Sequence, residues 1–325
     1  MDYSNDNIVE WNYTEDDIAE KYHFFNELKD GRIHILDPRG PGSMKIPPAD
    51  DPETGVKIRD VMITDKVAAR LYLPPSVEAD TAGQKLPLLF YAHGGAFCMY
   101  SPFSVDYTRL VTKYVAEFNV VAVAPTYGLF PDRPGAYYED SWVALKWVAE
   151  HADPGSDVFK LGTSDPWISN YADLNRIFIG GDSGGANITH AMMRNIRKEG
   201  LPGNNAKVEG IIMVHPYFGD NCKQWLRMNP INEGPQDPRM KPATEDLANL
   251  KCDRVLVFLA EIDPLRPAGD NYVEAIKKSG WKGGLEVVDN KGRMHNFHIT
   301  NYTDEETIII DERIKAFINK GKGEN

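Results

Sequence analysis

The chain has 325 residues, a formal net charge of −12, and 42% hydrophobic and 26% charged residues, a composition typical of a soluble globular protein. Its acidic surface repels phosphate backbones and so excludes nucleic acid as an expected partner. No stretch approaches about 18 uninterrupted apolar residues, the N-terminus lacks the basic start and apolar middle of a secretory signal, and three cysteines are too few for a disulfide framework, so we expect a cytoplasmic protein without a membrane span.

Residues 1–30 combine acids with aromatic side chains, namely Trp11, Tyr13, Tyr22, Phe24 and Phe25. Two interpretations stay open: a surface arm docked by its aromatic rings, or an arm that folds over a pocket. Two short strands are predicted next, in GVKIRDVMIT and VAARLYLP, around a TDK turn.

From Leu86 onward the sequence alternates predicted strands with predicted helices. The strands are LPLLFYA, NVVAVAP, RIFIG, EGIIMVHP, RVLVFLAEID and LEVVD, and the helices are VTKYVAEF, YEDSWVALKWVAEHA, GANITHAMMRNIRKEG, NYVEAIKKSG and DEETIIIDERIKAFINKG. This alternation predicts an α/β fold with a mostly parallel central sheet and helices on both faces, in a single domain spanning residues 1–325. Ligands bind such sheets at the carboxyl ends of the strands.

The segment from Tyr217 to Ala248 interrupts the alternation and is rich in proline, asparagine, methionine and charge. It is either a long surface excursion or a lid or pocket wall, and its length favours the second. Its aromatic residues Tyr217, Phe218 and Trp225 are equally compatible with a pocket lining and with core packing.

The stretch Gly181-Asp182-Ser183-Gly184-Gly185 fits the pattern G-x-S-x-G. The pattern alone is weak, because the chain has 27 glycines. Its position after a predicted strand and before a predicted helix is the context of a nucleophile elbow, with the helix N-terminus beneath the serine. We predict that Ser183 is a nucleophile; a plain glycine-rich turn is the alternative.

A serine hydroxyl needs a base, and the base needs an acid that orients it. Among the eight histidines, His295 is favoured, because it follows the last predicted strand in a loop that can hang over the strand ends. His298 is the rival base or a supporting residue. His190 is expected to pack inside, and His215, at the end of a strand, to line the pocket.

The acid is expected between the serine and the histidine in the chain. Asp263 meets this condition, because it directly follows a predicted strand that Pro264 ends. Glu261 is the rival and is expected to lie deeper. A turn or helix cap is the structural alternative for Asp263.

The stretch HGGAF, residues 93–97, also follows a strand. Its two glycines let backbone N–H groups approach a substrate oxygen closely, although a plain tight turn is the alternative. We predict an oxyanion hole formed by the amides of Gly94, Gly95, Ala96 and Gly184. The predicted pocket lining is Phe97, His215, Tyr217, Phe218 and His298. No metal and no cofactor is implied.

The motifs HGGAF, GDSGGAN, EIDPLR and MHNFH together resemble the hormone-sensitive-lipase-like branch of the α/β-hydrolases, and more closely the plant carboxylesterase family. The resemblance spans nearly the whole chain. It implies Ser183 as nucleophile, Asp263 as acid, His295 as base, and a cap built from about residues 1–45 and 217–248. It also implies a small or medium hydrophobic ester as substrate, from plant specialised metabolism.

Three departures from the family pattern are visible. The family usually has Y-R-L-A-P-E where this chain has Tyr127-Gly128-Leu129-Phe130-Pro131-Asp132, so a contact near the elbow loses its arginine. Ala96 replaces the third glycine of the oxyanion loop, which leaves its N–H in place. The excursion after residue 217 is shorter than usual, which indicates a trimmed cap and an altered pocket.

The family also contains gibberellin receptors, which lack the catalytic histidine, hydroxyisoflavanone dehydratases and indole-alkaloid cyclases. Retention of all three residues of the triad favours hydrolysis, including hydrolysis of an alkaloid methyl ester followed by decarboxylation. A lyase, dehydratase or cyclase is the alternative, and a non-catalytic receptor for a small ligand is less favoured. The sequence carries no signal for an oligomeric state.

Overall fold

A computed structural model of the chain describes residues 1, 3, 11–36, 40–79, 83–153, 164–202, 205–219 and 223–320. Within these ranges the chain forms an eight-stranded central sheet and a three-stranded sheet near the N-terminus. Parts of the predicted cap, at residues 2, 4–10, 37–39 and 220–222, lie outside the described residues.

The secondary structure follows the predicted alternation. The strands are β1 (Ile18–Lys21), β2 (Phe25–Leu28), β3 (Ile33–Ile35), β4 (Lys57–Met62), β5 (Ala68–Leu73), β6 (Leu86–Ala92), β7 (Val121–Pro125), β8 (Ala172–Asp182), β9 (Val208–Val214), β10 (Arg254–Ala260) and β11 (Gly284–Asn290). The α-helices are α1 (Ser76–Ala79), α2 (Val105–Phe118), α3 (Ala136–Glu150), α4 (Pro166–Tyr171), α5 (Gly184–Glu199), α6 (Lys223–Met228), α7 (Thr244–Ala248), α8 (Arg266–Ser279) and α9 (Glu305–Asn319).

The central sheet has the order β11-β10-β9-β8-β6-β7-β5-β4. The pairs from β11 to β7 are parallel, and β5 joins β7 and β4 in antiparallel fashion. Strands β6 and β7 are buried along their whole length, because helices cover both faces of a parallel sheet and favour uninterrupted apolar sequence. The prediction of a mostly parallel α/β sheet is confirmed.

Alternate residues of the strands pack into two cores, one on each face of the sheet. On β8, Ile177 and Ile179 join the core that contains residues of α3, α5 and α8, whereas Phe178 joins the core that contains residues of α2 and α9. This alternation is the two-residue period of a strand buried on both faces. The central strand is therefore held from both sides, which makes its carboxyl end a rigid platform.

The register of the parallel strands brings their carboxyl ends to one edge. Ala92 of β6 lies opposite Gly181 of β8, and Asp182 lies opposite Val214 of β9. The loops that leave these ends start at HGGAF, at Ser183 and at His215. Parallel pairing therefore places motifs about 90 residues apart in the chain at the same edge of the sheet.

The N-terminal sheet docks against the segment that interrupts the alternation. Phe24 N–H donates a hydrogen bond to Gln224 Oε1 at 3.0 Å, and Arg227 donates two hydrogen bonds to the Glu27 carboxylate, at 2.8 and 2.9 Å. Phe25 is fully buried and packs on Phe130, with ring centroids 4.8 Å apart. The arm is thus docked by an aromatic ring, as one of the two interpretations expected.

The described helices include none with the length and apolar character needed to cross a membrane.

Candidate active site

A strained turn presents Ser183 between β8 and α5. Its φ of 52° and ψ of −116° lie in a region that residues other than glycine rarely adopt. Two backbone hydrogen bonds hold the turn, from Ser183 N–H to Val214 at 2.9 Å and from Tyr217 N–H to Ser183 at 3.1 Å. A Cβ on Gly185 would lie 2.0 Å from the Ala92 carbonyl oxygen, so the turn packs against β6 through bare backbone.

The predicted acid and base form a hydrogen-bonded pair. His295 Nδ1 lies 2.6 Å from Asp263 Oδ2, and the histidine side chain is 27% exposed while the aspartate side chain is 2% exposed. Burial alone would raise the pKa of Asp263, but the hydrogen bond and the charge of His295 outweigh it and hold this pKa below its usual value. Asp263 also accepts the Leu265 N–H at 2.7 Å, just before α8.

The rival acid is excluded by its position. Glu261 accepts the Gly292 N–H at 2.8 Å, and its side chain is 47% exposed. The expectation that it lies deeper than Asp263 is wrong, because the strand ends at Ala260 and the chain turns outward there.

The loop of residues 291–296, which we call the histidine loop because it carries His295, is attached directly to the turn at Ser183. Asn296, which follows His295, donates its side-chain N–H to Asp182 Oδ2 at 2.7 Å, and Asp182 precedes Ser183. The structure therefore brings the Asp263–His295 pair to the serine turn through the immediate neighbours of His295 and Ser183. Neither Asn296 nor Asp182 was singled out from the sequence, although both lie inside the quoted motifs.

The HGGAF loop has three consecutive residues in the left-handed region, Gly95 (φ 101°), Ala96 (φ 51°) and Phe97 (φ 63°). The N–H groups of Gly95, Ala96 and Gly184 have no hydrogen-bond acceptor among the described residues. The Gly94 N–H differs, because it donates to the Tyr107 hydroxyl at 2.7 Å. The prediction that Gly94 contributes a free donor is therefore corrected, and three of the four predicted amides remain available.

Two of the predicted pocket residues lie beside the serine turn. A Cβ on Gly184 would touch the Phe97 ring at 3.4 Å, and Tyr217 meets that ring edge-on at 5.7 Å. The Phe97 ring also stacks on the Tyr137 ring, with ring centroids 4.4 Å apart. We call the buried rings between the HGGAF loop and α6 the aromatic cluster: Phe97, Tyr137, Tyr138, Tyr217 and Trp225.

Phe218 and His298 do not line an opening, and this part of the prediction is corrected. Phe218 stacks on Tyr272 of α8 with centroids 4.7 Å apart and packs in the core. His298 is fully buried, neither of its ring nitrogens has a hydrogen-bond partner among the residues that the structure describes, and burial lowers its pKa well below the usual value. His298 is consequently no rival for the base, since Asp263 contacts His295.

His215 supports the histidine loop from beneath. It is buried, and its Nδ1 accepts the Asn296 N–H at 3.0 Å, which leaves the proton on Nε2, 3.4 Å from Asn290 Oδ1. Burial, and then the charge of His295, lower the pKa of His215 to about 4, so its ring is neutral. The prediction that it lines the pocket is thus replaced by a role under the loop.

Ligand-capable atoms of His215, Asp263 and His295 lie within 4.8 Å of one another, the one such group found among the described residues. However, Nδ1 of His215 already accepts a backbone N–H, and Asp263 Oδ2 already contacts His295. These existing hydrogen bonds fit a charge pair with a supporting ring better than an ion site.

Another arginine lies beside Gly128, the position of the missing family arginine. Arg133 donates to both carboxylate oxygens of Asp140, at 2.6 and 2.9 Å, and Asp140 also accepts the Gly128 N–H at 2.7 Å. A Cβ on Gly128 would lie 2.7 Å from the Arg133 Cβ. The guanidinium therefore comes from five residues further along the chain and fills the space beside Gly128.

Side chains of the aromatic cluster tie the interrupting segment to the start of α5. Trp225 Nε1–H donates to the Tyr138 hydroxyl at 3.0 Å, and that hydroxyl donates to Asn187 Oδ1 at 2.6 Å. Asn187 in turn donates to the carbonyl oxygens of Tyr217 and Arg239, at 3.0 and 2.7 Å. The segment is therefore fixed one helical turn after Ser183.

A family model described as the α/β-hydrolase fold matches residues 89–299, from β6 through the histidine loop. The chain belongs to the α/β-hydrolase fold family. The matched range contains Ser183, Asp263 and His295.

Similar proteins extend the match to most of the chain. The chain is 36% identical over 314 residues to a 2-hydroxyisoflavanone dehydratase of Glycyrrhiza echinata, with 89% of this chain and 92% of the relative covered. It is 34% identical to probable carboxylesterase 1 of Arabidopsis thaliana (91% and 95% covered) and 39% identical to tabersonine synthase of Catharanthus roseus (82% and 87% covered). The resemblance to plant carboxylesterases and their dehydratase and synthase relatives is confirmed.

Among solved structures, a hyperthermophilic esterase from the archaeon Pyrobaculum calidifontis is similar, with a TM-score of 0.62, 25% identity, and 81% and 82% of the two chains covered. Together with the plant carboxylesterases, this neighbour identifies the protein as an esterase-family hydrolase.

Proposed function

We propose that the protein is a serine carboxylesterase that hydrolyses a small or medium hydrophobic ester through an acyl-enzyme. One observation carries the proposal. His295 and Asp263 form a hydrogen bond of 2.6 Å, and the residue after His295, Asn296, attaches the histidine loop to the strained turn of Ser183. The carboxylesterases among the relatives and structural neighbours support the reaction class.

Acylation starts with the attack of Ser183 Oγ on the ester carbonyl carbon. His295 accepts the hydroxyl proton on Nε2 and delivers it to the departing alcohol oxygen. Asp263 keeps the other ring proton on Nδ1 and stabilises the imidazolium that forms, without becoming protonated itself. The lowered pKa of Asp263 fits this part, because the carboxylate stays ionised through the cycle.

The oxyanion of the tetrahedral intermediate is held by the amides of Gly95, Ala96 and Gly184. The last of these is the first residue of α5, so the helix N-terminus adds its positive end at the same place. Water, deprotonated by His295, then attacks the acyl-enzyme carbonyl and releases the acid, and Ser183 recovers its proton.

The acyl or alcohol group of the ester lies against apolar rings in this proposal. The aromatic cluster is buried beside Ser183, and residues of the N-terminal sheet contact α6, the helix that contributes Trp225 to the cluster. We propose that these two segments form the cap of a single domain. An ester of plant specialised metabolism fits such a lining, including an alkaloid methyl ester whose free acid decarboxylates after hydrolysis.

A second candidate comes from two relatives, the isoflavanone dehydratase and tabersonine synthase, at 36% and 39% identity. In that case the pocket binds a specialised metabolite and His295 moves a proton in an elimination or cyclisation, without an acyl-enzyme. The two candidates differ in whether Ser183 forms a covalent bond.

The test compares wild type with Ser183→Ala on a panel of p-nitrophenyl and alkaloid methyl esters, together with labelling by a fluorophosphonate probe. We expect Ser183→Ala to lower kcat by at least about 1,000-fold and to abolish labelling. Ser141→Ala is the matched control, because Ser141 Oγ is also buried and has no hydrogen-bond partner in the described chain. Full activity of Ser183→Ala would reject the esterase.

A further inference from the structure

One buried carboxylate touches all three loops of the proposed site. Asp182 is fully buried and accepts hydrogen bonds from Asn296 Nδ2 and the Tyr107 hydroxyl, both at 2.7 Å, and from the Tyr91 hydroxyl at 3.1 Å. The Tyr107 hydroxyl also accepts the Gly94 N–H. The serine turn is joined through Asp182 to the histidine loop on one side and to the HGGAF loop on the other.

Asn296 attaches the histidine loop to the strand ends with two of its groups. Its side chain donates to Asp182 at the end of β8, and its backbone N–H donates to His215 just after β9. Its φ of 53° and ψ of 28° are left-handed, a conformation that asparagine tolerates better than most residues other than glycine. The residue therefore fixes both the position and the turn of the loop.

On the N-terminal side of His295 the loop is anchored at Arg293, which pairs with Asp304 and accepts the Ile262 N–H, but Met294 in between is 55% exposed. On the C-terminal side the adjacent anchor is Asn296, and the contact of His295 with Asp263 holds only one edge of the ring. Loss of the Asn296 anchor would leave the Asp263 hydrogen bond possible while the ring shifted relative to Ser183.

We propose that Asn296 is a positioning residue that holds His295 against Ser183 by attaching the histidine loop to Asp182. We name this set, Tyr107, Asp182, His215 and Asn296, the elbow network. The inference rests on the proposed esterase activity. Its consequence is that removal of the Asn296 amide slows acylation without weakening ester binding.

The charge of Asp182 provides a second way to test the role of Asn296. The groups that face Asp182 are Tyr91 from β6, Tyr107 and Tyr114 from α2, Tyr127 after β7, and His295 with Asn296 from the histidine loop. Burial raises the pKa of Asp182 to about 6, so the carboxylate is ionised at pH 8. A second carboxylate at position 296 would repel it there and share a proton with it at lower pH.

The experiment measures kcat, KM and the rate of fluorophosphonate labelling for Asn296→Gly and Asn296→Asp, with p-nitrophenyl acetate. Asn296→Gly keeps the left-handed turn and removes only the amide. We expect its kcat and labelling rate to fall about 10- to 100-fold with KM within about twofold of wild type. For Asn296→Asp we expect a larger loss of kcat at pH 8. We expect the ratio of its kcat to that of wild type to rise about tenfold between pH 8 and pH 6.

The matched control is Asn119→Gly, since Asn119 is also left-handed (φ 57°) but lies between α2 and the amino end of β7, at the opposite edge of the sheet from these loops. We expect its kcat to equal that of wild type. Unchanged kcat in Asn296→Gly, a loss carried by KM, or a pH-independent ratio in Asn296→Asp overturns the proposal. A wild-type protein that neither turns over the ester nor reacts with the probe overturns the proposed function, and this inference with it.

Discussion

The elbow network and the aromatic cluster lie on two sides of the same serine and are built differently. In the elbow network polar atoms are paired across three loops, at 2.7–3.0 Å. Asn296 donates to Asp182 and His215, and Tyr107 donates to Asp182 and accepts the Gly94 N–H of the HGGAF loop. In the aromatic cluster the contacts are mostly between rings, and the buried Tyr137 hydroxyl has no hydrogen-bond partner in the described part of the chain. Directional hydrogen bonds therefore set the geometry of the elbow network, whereas shape and close packing set that of the aromatic cluster.

The largest effect is expected on the polar side. Asp263→Asn keeps the shape of the acid but favours the wrong tautomer of His295, and we expect kcat to fall roughly 10,000-fold. Ester hydrolysis with matched circular dichroism spectra checks this. Glu261→Gln is the control, because Glu261 is exposed and contacts only the surface turn. An equal loss in both variants would contradict the assignment of the acid.

A smaller effect is expected where the serine turn packs on β6. Gly185→Ala would place a Cβ 2.0 Å from the Ala92 carbonyl oxygen and 2.6 Å from that of His93, so backbone must move. We expect the free energy of unfolding to fall by about 3 kcal/mol, measured by urea denaturation. Gly284→Ala, whose Cβ would meet no atom closer than 3.8 Å, should change it little. Equal stability of the two variants would show that the turn relaxes freely.

The smallest effect separates two adjacent tyrosines of the aromatic cluster. The Tyr138 hydroxyl bonds Asn187 and Trp225, so Tyr138→Phe should cost about 1–2 kcal/mol of unfolding free energy. The Tyr137 hydroxyl has no hydrogen-bond partner within the described ranges, so Tyr137→Phe should leave the free energy of unfolding unchanged or slightly raised. Thermal unfolding of both variants side by side checks this. A larger loss for Tyr137→Phe would mean that its hydroxyl has a partner such as water.

Much of the fold and of the candidate site is predictable from the sequence, because the signals are local. The apolar runs of β6 and β7 identify buried parallel strands, and parallel strands bring their carboxyl ends to one edge whatever the details of packing. Ser183, Asp263 and His295 each directly follow a strand or its loop, so their shared edge follows from topology alone. Their identification needs no knowledge of side-chain contacts.

The elbow network could not be predicted in the same way. Asn296 and Asp182 are 114 residues apart, and their hydrogen bond depends on rotamers and loop paths that no local pattern specifies. The hydrogen bond from the Gly94 N–H to the Tyr107 hydroxyl depends on rotamers and loop paths in the same way, and so does the burial of Phe218 and His298. Sequence identifies which groups reach the edge, and packing decides which of their atoms remain free.

The Arg133–Asp140 pair beside Gly128 makes two positions interdependent. Arginine at both 128 and 133 would force two side chains into one volume, since a Cβ at 128 already lies 2.7 Å from that of Arg133. Arginine at neither would leave the buried Asp140 carboxylate without a cation. The residue that position 128 tolerates therefore depends on the residue at position 133, so the two positions have to be read together rather than one at a time.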